Sequence, residues 1–108
     1  MEYPEQQFLY DDLLVRWNKH FHRSFPRGLG GREVAGVCLV MLDAGLFELV
    51  DAFLKHRELA PRAINVLRQL HEDVRRVLPS LSGESAEYFE EWEEIASGTL
   101  RLADPREG

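Results

Sequence analysis
The stretch VAGVCLVMLDAGLFELVDAFL, residues 34–54, constrains the fold most: it is the least polar part of the chain, yet it carries Asp43, Glu48 and Asp51. It is long enough to cross a bilayer. The energetics exclude this, because about a dozen large apolar side chains gain roughly 0.3–0.6 kcal/mol each, whereas each acid near the centre costs about 2.5–3.5 kcal/mol. The segment is therefore expected to form the inner wall of a water-soluble core.

Periodicity divides this stretch into two unequal parts. Taken as one helix over 32–56, its second half is amphipathic: Asp43, Glu48, Asp51 and Lys55 share one arc, and Leu42, Leu46, Leu49, Val50 and Phe53 share the other. Residues 34–42 are apolar all round, as in a buried helix, so they are expected to be the most enclosed backbone of the fold. A buried strand is the rival for that run. Helix is preferred because the run passes into DAGLFELVDAFL without a strong breaker, with Gly45 as a candidate kink or close helix contact.

Three further helices flank it. Over 5–22, Tyr10, Leu13, Leu14, Trp17 and Phe21 recur at helical spacing. Over 61–78, Ala63, Ile64, Leu67, Leu70, Val74 and Leu78 form a stripe between a first-turn Pro61 and a terminating Pro79. Over 83–97, Ala86, Phe89, Trp92 and Ala96 form an inner face, with Ser82 a candidate N-cap and Gly98 a candidate C-cap. Residues 99–108 read as a mobile tail. The expectation is an all-α, four-helix bundle-like single domain of 108 residues with a long, largely buried central second helix.

Composition narrows the function classes. A formal net charge of −6 weighs against nucleic acid and anionic membrane as partners. The single cysteine, Cys38, excludes an internal disulfide and lies in an apolar run, where a thiol behaves as a small inert hydrophobe. The opening MEYPEQQFLYDD lacks the basic and apolar regions of a signal peptide, so a cytoplasmic setting is the expectation.

No catalytic or metal-binding constellation emerges, and no cofactor is implied. His20 and His22, two apart on a helix, point about 200° from one another and cannot share an ion. His71 falls on an apolar face, where a hydrogen-bonded core or boundary role is expected. No His-x-x-x-His or Glu-x-x-His spacing occurs, and no serine has a Gly-x-Ser-x-Gly context.

Two features point to binding. Residues 55–76 hold six basic and three acidic side chains, whereas residues 84–94 hold six glutamates and no base. One consequence is pairing between the third and fourth helices, with exposed pairs worth at most about 1 kcal/mol each. The other is a surface of Glu87, Glu91 and Glu94, with Tyr88 and Trp92 as aromatic anchors, that meets a protein partner with a basic surface. A regulator, adaptor or antidote-type inhibitor would act this way. A second copy of the chain is an additional candidate partner, because an all-apolar helix needs more cover than one small neighbour provides. The alternative is a small-molecule or phosphate site on the glycine-rich connector, with His22, Arg23, Arg27 and Arg32 as contacts where it enters the next helix. This connector lacks the Gly-Lys-Ser/Thr end of a Walker loop.

Overall fold
Four amphipathic segments separated by proline and glycine produce four helices packed against one another. The computed structural model describes residues 4–104. In chain order the elements are α1 (Glu5–Phe21), β1 (Glu33–Val34), β2 (Val37–Cys38), α2 (Leu39–His56), α3 (Pro61–Val77), a single 3-10 turn (Leu78–Ser80) and α4 (Gly83–Ala103). The architecture is an all-α bundle with one small hairpin. Among the described residues no helix is long and apolar enough to cross a membrane.

α4 packs closely on α1, α2 and α3, and α2 packs on α3. That central place requires a broad apolar arc. Tyr88, Phe89, Trp92, Ile95, Ala96, Thr99 and Leu100 are all buried, and at 100° per residue they span about 140°. α2 supplies the opposing wall through Leu39, Leu42, Leu46, Val50 and Phe53. Gly45 marks a close helix contact, since a Cβ there would lie 3.1 Å from Leu70 Cδ1 on α3. α3 begins with Pro61, whose missing N–H costs nothing in a first turn. Beyond α3, Pro79 sits inside the 3-10 turn that redirects the chain into α4.

Three sequence expectations are corrected. Residues 33–38 are a hairpin rather than the start of a helix, with Glu33 opposite Cys38 and Val34 opposite Val37. Ala35 and Gly36 form its two-residue loop at φ +50° and +79°, the left-handed pair that a tight hairpin turn needs. Gly36 is thus the breaker that the apolar run concealed. Enclosure of residues 34–42 is correspondingly incomplete: Val34, Leu39 and Leu42 are buried, but Val40 and Met41 are 42% and 67% exposed. Residues 99–103 belong to α4 and not to a tail. Thr99 and Leu100 are buried, Gly98 lies within the helix, and only 105–108 of the expected tail fall outside the described residues.

α1 contains a further departure. Its buried stripe runs Leu13, Trp17, His20. The histidine, rather than Phe21, occupies the last inward position, and Phe21 is 58% exposed while its ring packs on Trp17 and Phe47. Either residue continues the i, i+3/i+4 stripe from Trp17. Choosing the polar one puts an ionisable ring into the core.

Candidate functional site
The polar groups of the core gather where α1, α2 and α4 meet. Tyr88 and Trp92 are four residues apart on α4, so both face the same way. The Tyr88 hydroxyl donates to Asp43 Oδ1 at 2.6 Å, and Trp92 Nε1–H donates to the same oxygen at 2.9 Å. Asp43 falls on the polar arc of α2, at its border with the core, and joins α2 to α4. Burial and the neighbouring carboxylate together push the Tyr88 hydroxyl far above the ordinary tyrosine range.

His20 lies beside this pair. Its ring is fully buried, with centroids 4.4 Å from Tyr88 and from Trp92 and 6.2 Å from Phe47. Nδ1–H donates to Glu91 Oε1 at 2.5 Å, and Arg23 donates to Glu91 Oε2 at 3.0 Å. Among the described residues His20 Nε2 has no hydrogen-bond partner. Burial lowers the histidine's proton affinity below its ordinary value despite the opposing pull of Glu91. Glu91 itself is held below the usual carboxylate range: its hydrogen bonds and proximity to His20 and Arg23 together outweigh the opposing and largest single effect, partial burial.

This cluster reassigns the residues proposed from sequence. Tyr88 and Trp92 are 1% and 0% exposed, so they are core anchors and cannot serve as surface aromatics. Glu91 is engaged inside the protein by His20 and Arg23. Glu94 is exposed and meets Arg16 at 2.5 Å. Glu87 is exposed. The helical angles explain the division. Glu91 sits at the α1 edge of the buried arc, Glu93 at the α3 edge, where it meets His71 Nε2 at 3.0 Å, and Glu87, Glu90 and Glu94 lie opposite its centre. Glu84, Glu87 and Glu90 make no ion pair among the described residues.

Two shallow clefts share Glu90 and Glu94. One, of about 370 Å³, adds Lys19, Arg23, Glu87 and Glu91; the other, of about 360 Å³, adds Arg75, Leu78, Pro79 and Glu93. The outer strip of α4 therefore runs between the two clefts, with Lys19 and Arg23 on the α1 side and Arg75 on the α3 side.

The basic connector is arranged differently from expectation. It enters the β-hairpin, not a helix N-terminus, and the Leu39 N–H at the head of α2 already donates to Arg32 O at 3.1 Å. Arg23 is bound to Glu91, and the His22 Nδ1 hydrogen bonds to Asn18 O at 2.7 Å. Arg27 and Arg32 are exposed. These four residues are not drawn into one pocket. Cys38 is half-buried in β2, and no three His, Cys, Asp or Glu residues among those described converge on a point suited to a metal ion.

His20 and Asp43 went unassigned in the sequence. The detectable signal was the position of His20 on the α1 stripe, three residues after Trp17; nothing in the sequence paired it with Glu91. No protein-family model, curated protein or solved structure matches the chain.

Proposed function
We propose that the chain is a non-enzymatic interaction protein whose outer α4 strip receives a basic segment of a protein partner. The observation that carries this reading is the set of exposed glutamates Glu84, Glu87 and Glu90 in the N-terminal part of α4, which make no ion pair among the described residues. Carboxylates that no internal cation neutralises attract a basic surface and speed its association. The catalytic reading lacks comparable support, because the most perturbed groups, His20 and Tyr88, are buried away from any substrate.

The test is affinity capture from the native host with the wild type and with Glu84→Lys/Glu87→Lys/Glu90→Lys. Loss of a specific partner from the triple variant, together with salt-sensitive capture by the wild type, supports the proposal. The same partners retained with unchanged salt dependence would end it. A second copy of the chain is the other reading, favoured by the exposed Val40 and Met41 on α2. Light scattering that gives a monomer at high concentration removes it.

A further inference from the structure
α1 is attached to the rest of the fold less evenly than the other helices. Near its N-terminal end, Tyr10 donates to Leu54 O at 2.8 Å, and Arg57 stacks on the Tyr10 ring at 3.9 Å. Toward its C-terminal end α1 is held on α4 and α2 by buried Leu13 and Trp17, the latter packed on Phe47 and Trp92, and its polar attachment passes through His20, the one fully buried ionisable side chain of α1, and the Glu91–Arg23 pair. By contrast, α2, α3 and α4 contact one another in every pairing.

A second proton on His20 has nowhere to go. It would reside on Nε2, which is buried among Tyr88, Trp92 and Phe47 and lacks an acceptor. The charged and titratable groups facing the ring are Glu91 and Tyr88 from α4, Asp43 from α2, and Arg23 just beyond α1. Both carboxylates favour the charged ring, but neither accepts from Nε2: Glu91 is bonded to Nδ1 and to Arg23, and Asp43 accepts through Oδ1 from Tyr88 and Trp92. A buried charged N–H without an acceptor is strongly disfavoured, whereas water satisfies it at once if the helix lifts away.

We propose that the seam between the C-terminal half of α1 and α4 is an acid-sensitive latch: protonation of His20 releases residues 13–25 while α2, α3 and α4 stay packed. The sign follows from linkage. The closed form holds His20 neutral to lower pH than the open form does, so the open form binds the extra proton. The closed form is then fully favoured above about pH 6.5 and loses its advantage as pH falls toward the closed-state value. Because one proton is involved, the opening equilibrium rises at most about tenfold per pH unit within that window.

Hydrogen–deuterium exchange of the full chain between pH 7.5 and 5, corrected for intrinsic exchange rates, tests the latch. Residues 13–25 should lose protection as pH falls while α3 keeps it, and His20→Gln should abolish that pH dependence. If His20→Gln does not fold, the wild-type His20 ring signals in an NMR titration provide the second measurement, with a midpoint below 6.5 expected. The proposal is overturned by α1 protection that does not change with pH, by α1 and α3 losing protection in step, by unaltered pH dependence in His20→Gln, or by a His20 midpoint at or above 6.5.

Discussion

Replacing Asp43 with alanine removes the shared acceptor at the junction of α2 and α4 and leaves two donors in place. Tyr88 and Trp92 are essentially inaccessible to water, so neither the hydroxyl nor the indole N–H regains a partner without local rearrangement. Hydrogen bonds to a charged acceptor contribute about 1.5–3 kcal/mol each, and a buried donor left unsatisfied costs about 1–3 kcal/mol. Both donors use one oxygen, 2.6 and 2.9 Å away, so the two losses are not independent. Alanine also recovers a few tenths of a kcal/mol of helix propensity. The expected loss is therefore about 3–4 kcal/mol, a large share of the roughly 5–15 kcal/mol typical of a domain. Asp43→Asn keeps a carbonyl oxygen at the same place and should cost only about 1–2 kcal/mol.

The assay is urea unfolding of Asp43→Ala, Tyr88→Phe and the double variant, followed by circular dichroism. Tyr88→Phe removes one donor and leaves Asp43 with Trp92, so its cost should be near 1.5 kcal/mol. If the hydroxyl and carboxylate interact as the geometry requires, the double variant should be less destabilised than the sum of the singles by about 1 kcal/mol or more. A loss below 0.5 kcal/mol for Asp43→Ala, or full additivity in the cycle, would refute the reasoning.

Three other perturbations test separate parts of the fold. Ala35 occupies a left-handed conformation at φ +50°, which costs an L-residue about 1–2 kcal/mol; Ala35→Asn should therefore raise stability by about 0.5–1 kcal/mol in the same urea assay. Leu100 is 3% exposed in the last turns of α4. Leu100→Ala is expected to cost about 2–5 kcal/mol, whereas a residue in a frayed tail would change stability by less than about 0.5 kcal/mol. The Tyr88 hydroxyl is raised above its ordinary value, so its contribution is present below about pH 10 and lost as pH rises further, when the unfolded chain releases a proton that the folded chain retains. Unfolding midpoints measured from pH 8 to 11 should fall on the alkaline side, and the fall should be shallower in Tyr88→Phe.

Local chemistry by itself made the protein all-helical. Apolar residues at helical spacing, Pro61 at a first turn and Pro79 at a stop act within a few residues of chain, and they marked the helical segments wherever the tertiary packing lies. The acids at 43, 48 and 51 likewise settled that the apolar stretch does not span a bilayer, because their desolvation cost depends only on their presence. The Val-Ala-Gly-Val hairpin was written locally too, but its strands are only two residues each, and the surrounding apolar run hid their alternation. The end of α4 could not be read from composition, because burial of Thr99 and Leu100 depends on neighbours elsewhere in the chain.

The polar cluster was decided by the tertiary structure alone. Its partners lie 45, 49 and 71 residues apart in sequence, and their meeting depends on how far each helix is rotated about its axis. One helical step at α1 chose His20 over Phe21 for the interior. The angular position of α4 within a three-sided cover turned Tyr88 and Trp92 inward, gave Glu91 to His20 and Arg23, and left Glu87 and Glu90 outside. Sequence periodicity fixes which residues share a face of one helix, but only packing among several helices fixes which neighbour that face meets.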